Sequence, residues 1–287
     1  MTDMAIGATR HSAVTLATAG VFTFGGTLYL GVRNLLAGQA DRARQTIPKA
    51  WDLPPRADGL YGPDDTEVQP FHRGANVDLH LMVFGDSTAT GYGCHSAAEV
   101  PGALIARALA ERTGMRIRLS TKAIVGATSK GLAGQVDAMF VAGPPPDVAV
   151  IMIGANDVTA LHSIAGSVQR LRAAVKRLRA SGAVVIVGTC PKFGAISAIP
   201  RPLRWVAHAR ACQLARAQTL AVKAAGGIAV PFADFRAREF HDSPELLFAA
   251  DQYHPSAAGY ALAAGQMIPA LCAVLDRPDS RVVASSG

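Results

Sequence analysis

The sequence predicts an α/β domain with a mainly parallel, five-stranded sheet covered by helices on both faces. Three observations predict it. Five short apolar runs alternate with longer segments of helical periodicity from residue 79 onward. The runs are continuously apolar rather than alternating, so both faces of their sheet are buried, as in parallel sheets. The composition is that of a folded chain with an apolar excess, half of its 287 residues hydrophobic and 17% charged. Without the N-terminal region, about 200 residues remain, enough for one domain with a full core. No internal repeat is visible.

The elements follow in order. "LHLMVFG" (79–85) is a buried strand stopped by a glycine. "AEVPGALIARALAERTG" (98–114) is a helix, with Pro101 near its start and Gly114 past its end. "RIRLSTKAIVG" (116–126) is a strand, alternating at first, and "KGLAGQVDAMFVAG" (130–143) a helix. "DVAVIMIGAND" (147–157) is a buried strand, and "IAGSVQRLRAAVKRLRASG" (164–182) a helix closed by Gly182. "AVVIVGTC" (183–190) is a further buried strand, and "RWVAHARACQLARAQTLAVKAAGG" (204–227) a helix ended by two glycines. "IAVPFADF" (228–235) is the last strand, and "SAAGYALAAGQMIPALCAVL" (256–275) the last helix.

Upstream of this regular part the chain is different. Ser12 to Val32 is a run of 21 residues without a charge. As a helix it measures roughly 31 Å, enough to cross the hydrocarbon core of a bilayer and long for a signal-peptide apolar region. An uncleaved membrane anchor is the first reading. A signal cleaved after Ala40, or a buried or peripheral helix, are the alternatives. Arg33, Arg42, Arg44 and Lys49 after the run would keep the rest of the chain cytoplasmic, whereas a signal would export it; the two arguments oppose each other. Pro48, Pro54, Pro55, Pro63 and Pro70 make the following stretch a linker, or an extended arm lying over the domain. The chain thus divides into an anchor or signal segment (1–33), a Pro-rich linker (34–77), the globular domain (78–275) and a tail (276–287).

Charge and cysteine content exclude several classes. The net charge of +7 is scattered except in "QRLRAAVKRLRA" (169–180), where Leu171, Val175 and Leu178 recur at helical spacing. That cluster reads as the solvated face of an amphipathic helix, with membrane-surface attraction as the alternative. Neither aromatic interleaving nor a recognised motif supports binding of nucleic acid. Cys94, Cys190, Cys212 and Cys272 lie far apart without metal-ligand spacing, so no metal or other cofactor is implied. A disulfide is permitted but not required.

In sheets of this kind function collects outside the carboxyl ends of the strands. Gly85-Asp86-Ser87 ends the first strand, Gly126 the second and Gly154-Ala155-Asn156-Asp157 the third. Ser87 at such a place reads as a nucleophile, which needs a base, an acid to orient it and donors for an oxyanion. Of eight histidines, His254 has the fitting company in "DQYHPSAAGY" (251–260). Asp251 stands three residues before it, and Pro255 keeps His254 out of helical conformation and can begin the next helix. His241-Asp242 is the rival pair, without that spacing or the proline. Asp86 reads as a structural group of the serine turn rather than a second acid, and Asp234 as a loop cap. Gly91 and Gly93 let the backbone pass close beside the nucleophile. Asn156 cannot take a proton at neutral pH but donates two hydrogen bonds, which suits an oxyanion; an isolated Asn there would read as a turn residue.

"GDSTATGYG", Gly126, "GAND" and "DQYHP" stand in the order and spacing of the four blocks of the SGNH hydrolases, the GDSL esterase/lipase family, which residues 79–273 resemble. The resemblance implies a flavodoxin-like three-layer α/β/α sandwich and a serine hydrolase acting on esters. It assigns Ser87 as nucleophile, His254 as base and Asp251 as its partner. It places the oxyanion on the backbone N–H groups of Ser87 and Gly126 and on the side chain of Asn156. Thr88 replaces the leucine of the first block, and Gly131 competes with Gly126. The expected substrate is a small-molecule, lipid or glycan ester, cleaved by a membrane-anchored or exported enzyme. An acyltransferase or acetyl-ester deacetylase on cell-envelope glycans or lipids is the alternative. A non-catalytic binding domain would need phosphate-facing amides and no base, against which Asp251-x-x-His254 argues. Loops 88–97, 191–204 and 236–250 should shape the substrate. Phe193, Ile196, Ile199, Phe240, Leu246, Leu247 and Phe248 lean toward an uncharged acyl chain, or simply pack the loops onto the domain.

Overall fold

A computed structural model of the chain describes residues 30–43, 45, 47, 53–141, 143–232 and 237–276. The apolar run at 79 forms strand β2 (Leu79–Gly85), buried along its whole length. On either side lie β3 (Ile117–Thr121) and β4 (Val148–Met152), followed outward from β4 by β5 (Val184–Gly188) and β6 (Ile228–Val230). These five strands are all parallel. A sixth, β1 (Gly59–Tyr61), pairs antiparallel with β3, Gly59 opposite Leu119 and Tyr61 opposite Ile117. The sheet order is β1-β3-β2-β4-β5-β6. From β2 the chain steps to β3 on one side and then to β4 on the other, so a crevice opens where the direction reverses, above the carboxyl end of β2.

Alternate residues of β2 serve the two layers. Leu79, Leu81 and Val83 pack with Ile105 and Leu109 of α3 (Pro101–Thr113) and with Tyr260, Met267 and Leu271 of α10 (Ala257–Leu275). Met82 and Phe84 pack with Leu132 and Val136 of α4 (Leu132–Val141) and with Leu171, Val175 and Leu178 of α6 (Ile164–Ala180). The long α7 (Leu203–Ala224) adds Val222 to this second layer. Each such side chain withdrawn from water contributes about 1.5–3 kcal/mol. The basic residues of α6 follow the amphipathic reading. Arg172 and Lys176 are exposed, and Arg177 pairs with Asp137 at 2.6 Å on the surface. All four cysteines are unpaired.

Four strands end earlier than the sequence suggests: β4 stops at Met152 and β5 at Gly188, and β3 and β6 stop for local reasons. β3 stops at Thr121; Lys122 and Ile124 still donate to Val83 and Gly85 of β2, but the chain then swings away through Gly126 at φ +79°. β6 stops before Pro231, which has no N–H to donate to the ladder. Asp234 lies outside the described residues.

Within 34–77 the chain touches the domain at both ends. Residues 30–43 are helical (α1), and Gln39 and Ala43 are buried. Gln39 donates to the Arg201 carbonyl and accepts from the Leu203 N–H at 2.9 Å. Further on, β1 adds to the sheet edge, Leu60 bridges Gln69, and Tyr61 donates to the Ala57 carbonyl at 2.6 Å. Most of the apolar run 12–32 lies outside the described residues. Among those described, α10 alone is long and apolar enough to cross a membrane by length and composition. It packs against the sheet through Tyr260, Ala264, Met267 and Leu271.

Candidate active site

The turn after β2 is built around a close approach. Gly85 has φ +137°, and a Cβ there would sit 1.9 Å from the Met152 carbonyl oxygen of β4. Only glycine fits. Gln135 of α4, buried, fixes both peptide groups of the same residue: its amide donates to the Gly85 carbonyl and accepts from the Gly85 N–H, both at 2.8 Å. The Asp86 N–H donates to Met152, and the Asp86 carboxylate caps the short helix α2 (Ser87–Thr90) by accepting from the Thr88 N–H at 2.9 Å. Burial pushes the Asp86 carboxyl up to about 6, against the Thr88 hydrogen bonds and the charge of His254, which lower it. Ser87 is therefore the first residue of a helix, on a backbone held from three sides.

The histidine arrives on the loop before α10. Asp251 accepts from the N–H groups of Tyr253 (3.0 Å) and His254 (2.9 Å) through Oδ1, with Gln252 between them at φ +55°. Its Oδ2 accepts from His254 Nδ1 at 2.6 Å. That bond places the ring proton on Nδ1 and turns the lone pair of Nε2 toward Ser87 Oγ, 3.0 Å away. Burial alone would raise the Asp251 carboxyl; the hydrogen bonds and charge it receives from His254 and Tyr253 outweigh this and hold it below the usual range. Tyr92 and Tyr253 flank the imidazole, with ring centroids 4.5 and 4.9 Å from it, and Tyr260 holds the Tyr92 carbonyl at 2.7 Å. Pro255 does not open α10 as the sequence suggested. It bridges Phe248, and Ser256 caps the helix instead, accepting from the Gly259 N–H. Gly93, at φ +95°, abuts this loop; a Cβ would meet Ala249 at 3.2 Å and the Pro255 carbonyl at 3.3 Å. Its glycine thus serves the histidine loop, while Gly91 ends α2 in the left-handed conformation.

Gly126 and Asn156 come from the two strands that flank β2. Gly126 follows β3, and Asn156 follows β4 in α5 (Ala155–Thr159). One bond joins their segments: Asn156 Nδ2 donates to the Ala127 carbonyl at 2.9 Å. Beneath them Asp157, 1% exposed, accepts from the Ser129 N–H (2.8 Å), the Ser129 hydroxyl (2.6 Å) and the Ser167 hydroxyl (2.7 Å), and meets His162 Nδ1 at 3.2 Å. Burial would raise this carboxyl too, but these bonds hold it low. They also tie the loop bearing Gly126 to α5 and α6. The rival pair, His241 and Asp242, is exposed in α8 (Ala237–Asp242), 3.5 Å from each other; His241 borders the cavity, but no hydrogen bond joins it to Ser87 among the described residues.

Ser87 and His254 open onto a cavity of about 270 Å³. Its wall is largely apolar: Phe193 and Ile196 from the loop after β5, Phe232, Phe240 of α8, Phe248 and Tyr253. Of the other apolar loop residues, Ile199 and Leu247 are buried and Leu246 is exposed. Gln135, Asp157, Tyr92 and Tyr260 were not singled out as positioning groups by the sequence. Only Asp157, inside the "GAND" block, carried a local signal.

A model of the GDSL-like lipase/acylhydrolase family matches residues 83–262. A GDSL-like esterase of Mycobacterium tuberculosis (strain ATCC 25618 / H37Rv) is 65% identical over 262 residues, covering 91% of this chain and 83% of that protein. Among solved structures, an acetylxylan esterase from Geobacillus stearothermophilus superposes with a TM-score of 0.51 at 20% identity, covering 68% of this chain and 94% of that one. A lipase/acylhydrolase from Enterococcus faecalis gives 0.52 at 21% identity, with coverage of 68% and 96%. The two structures share the fold.

Proposed function

The chain belongs to the GDSL-like lipase/acylhydrolase family and is an ester hydrolase, and from that premise we propose that it works through an acyl-enzyme on Ser87, with His254 as base and Asp251 as its orienting acid. The supporting observation is the unbroken chain from Asp251 Oδ2 to His254 Nδ1 (2.6 Å) and from His254 Nε2 to Ser87 Oγ (3.0 Å). Ser87 Oγ attacks the ester carbonyl carbon while its proton passes to Nε2, and Asp251 stabilises the imidazolium that results. The C–O bond to the alcohol then breaks, and Nε2 returns the proton to the leaving oxygen. Water repeats the sequence on the acyl-enzyme, so that carboxylic acid and free Ser87 are recovered.

The negative charge on the carbonyl oxygen needs donors that are in place beforehand. The Ser87 N–H, as the first amide of α2, has no acceptor within the helix. The Gly126 N–H and the second N–H of Asn156 complete the set, one from each strand beside β2. The lining of the cavity favours an uncharged acyl chain longer than acetyl, since acetyl would leave most of that apolar wall uncovered. This weighs against the deacetylase alternative. Residues 78–275 form the catalytic unit in this reading, and 12–32 anchor it to a membrane. Labelling by a fluorophosphonate tests the nucleophile: modification mapped to Ser87, and lost in Ser87→Ala, is the expected result. Undiminished labelling of that variant overturns the assignment.

A further inference from the structure

The helix that follows the apolar run is docked, and the place where it docks has a chemistry of its own. The first part of α1 stands clear of the domain, with Leu30, Val32 and Leu35 about half exposed, and burial begins only at Leu36 and is complete at Gln39. Gln39 grips the backbone at Arg201 and Leu203, where α7 starts. From Val32, the end of the charge-free run, to Gln39 is seven residues, or about 10 Å of helix. The polar layer on each side of a bilayer is about 5–8 Å thick. A domain gripped at that distance has no room to stand off from the surface.

The first turn of α7 beside the grip presents Trp205, 62% exposed, and Val206, 48% exposed. Arg201 lies over the Trp205 ring, its guanidinium carbon 5.9 Å from the centroid. Arg204 stretches back to the Ile199 and Ser197 carbonyls and keeps its charge at the same edge. Arg33 is exposed on the free part of α1. Against these cations α1 carries a single acid, Asp41. An exposed indole with arginines around it suits the boundary between hydrocarbon and headgroups, where basic residues are attracted to anionic lipid.

We propose that the face made by α1 and the first turn of α7, with Arg201, Arg204, Trp205 and Val206, rests on an anionic phospholipid surface. The proposal rests on the reading of 12–32 as a membrane anchor. The surface and the substrate cavity share α7: His208, one turn after Trp205, lines the cavity, so an enzyme seated in this way works against the leaflet that holds its anchor.

The test uses the full-length chain with Trp51→Phe, which leaves Trp205 as the sole tryptophan. It is reconstituted in phosphatidylcholine vesicles with and without phosphatidylglycerol. The expected result is loss of most Trp205 emission to a lipid nitroxide placed near the headgroups, weak quenching by aqueous acrylamide, and less lipid quenching when phosphatidylglycerol is omitted. Adding Gln39→Ala should restore acrylamide access while ester hydrolysis and recovery in the carbonate-washed membrane fraction persist. A chain that stays in that fraction with Trp205 open to acrylamide and untouched by the lipid label overturns the docking and leaves the anchor standing. Equal lipid quenching in both vesicle types overturns the anionic preference. Recovery of the intact chain in the carbonate supernatant overturns the anchor, and the docking with it.

Discussion

Two walls meet at Ser87, and they are built on different principles. On the polar wall, directional bonds hold nearly every group. Asp251 accepts three hydrogen bonds from its own loop, Gln135 holds both the N–H and the carbonyl of Gly85, and Asp157 gathers two serines and a histidine. On the apolar wall, side chains are placed by contact. Phe240 meets Phe248 with ring centroids 5.2 Å apart, and Phe193 meets Tyr253 at 6.3 Å. Directional bonds fix atoms to fractions of an ångström, which bond-making needs; contacts fix volume and shape, which is what discriminates one acyl chain from another. Changes in the first wall should therefore appear in kcat, and changes in the second in selectivity.

The largest effect should come from Ser87→Ala. Ester hydrolysis should fall on the order of 10⁴-fold or more with the melting temperature little changed, because a single hydroxyl leaves and no packing is lost. Steady-state rates and a thermal melt on one preparation read both. Normal turnover would remove the polar wall from the chemistry.

Asn156→Ala should lower kcat on the order of 10²–10³-fold, about 3–4 kcal/mol, with KM nearly constant, since charge on the carbonyl oxygen arises only in the transition state. Asn156→Asp should be at least as poor, because a carboxylate repels the oxyanion. If the bond to Ala127 is the residue's whole role, kcat on folded protein stays near normal and only the melting temperature drops.

Asp86→Asn measures what the polar wall costs. The folded carboxyl titrates at about 6, above its ordinary 3.8. The native state therefore holds a proton that the unfolded chain has released, and stability falls as pH rises through that window. Asn stays neutral and still caps α2. Its advantage should be absent below about pH 4 and grow to the order of 3 kcal/mol above pH 6. Thermal melts of both proteins at pH 4 and pH 8 give the comparison; parallel shifts at the two pH values would mean the buried carboxyl carries no penalty.

The smallest effect belongs to the apolar wall. Phe240→Ala should reduce kcat/KM for an octanoyl ester about 10-fold, within the 1–3 kcal/mol range of hydrophobic pocket contacts, and leave an acetyl ester nearly untouched. Rates on p-nitrophenyl esters of increasing chain length measure it. An equal loss on both esters would mean that Phe240 supports the loop rather than the substrate.

The contrast also explains what could be read in advance. The strands at 79, 148 and 184 are legible because burial on both faces leaves an unbroken apolar run. α3 is legible because Pro101 and Gly114 mark its ends. The meeting of Ser87, Asp251 and His254 could be anticipated because a strand end, a three-residue offset and a following proline are local signals. β1 is not: three residues carry no periodicity, and only the partner Ile117–Leu119 makes Gly59–Tyr61 a strand. Gln135 is invisible for the same reason, since a glutamine within a helix says nothing of a glycine fifty residues earlier. For Phe193 the sequence left two readings open, substrate wall or loop packing. It is fully buried among the loops and also borders the cavity beside Ser87.

The clamp of Gln135 on Gly85 has a consequence in time. A loop held only at its ends opens on its own schedule, in nanoseconds to microseconds. Here the amide proton of Gly85 is held by Gln135 from the inner face of α4, which packs into the core through Leu132, Val136 and Met139, so its exchange with deuterium should follow release of that buried glutamine rather than free loop motion. The turn that carries Ser87 thus inherits the lifetime of the core.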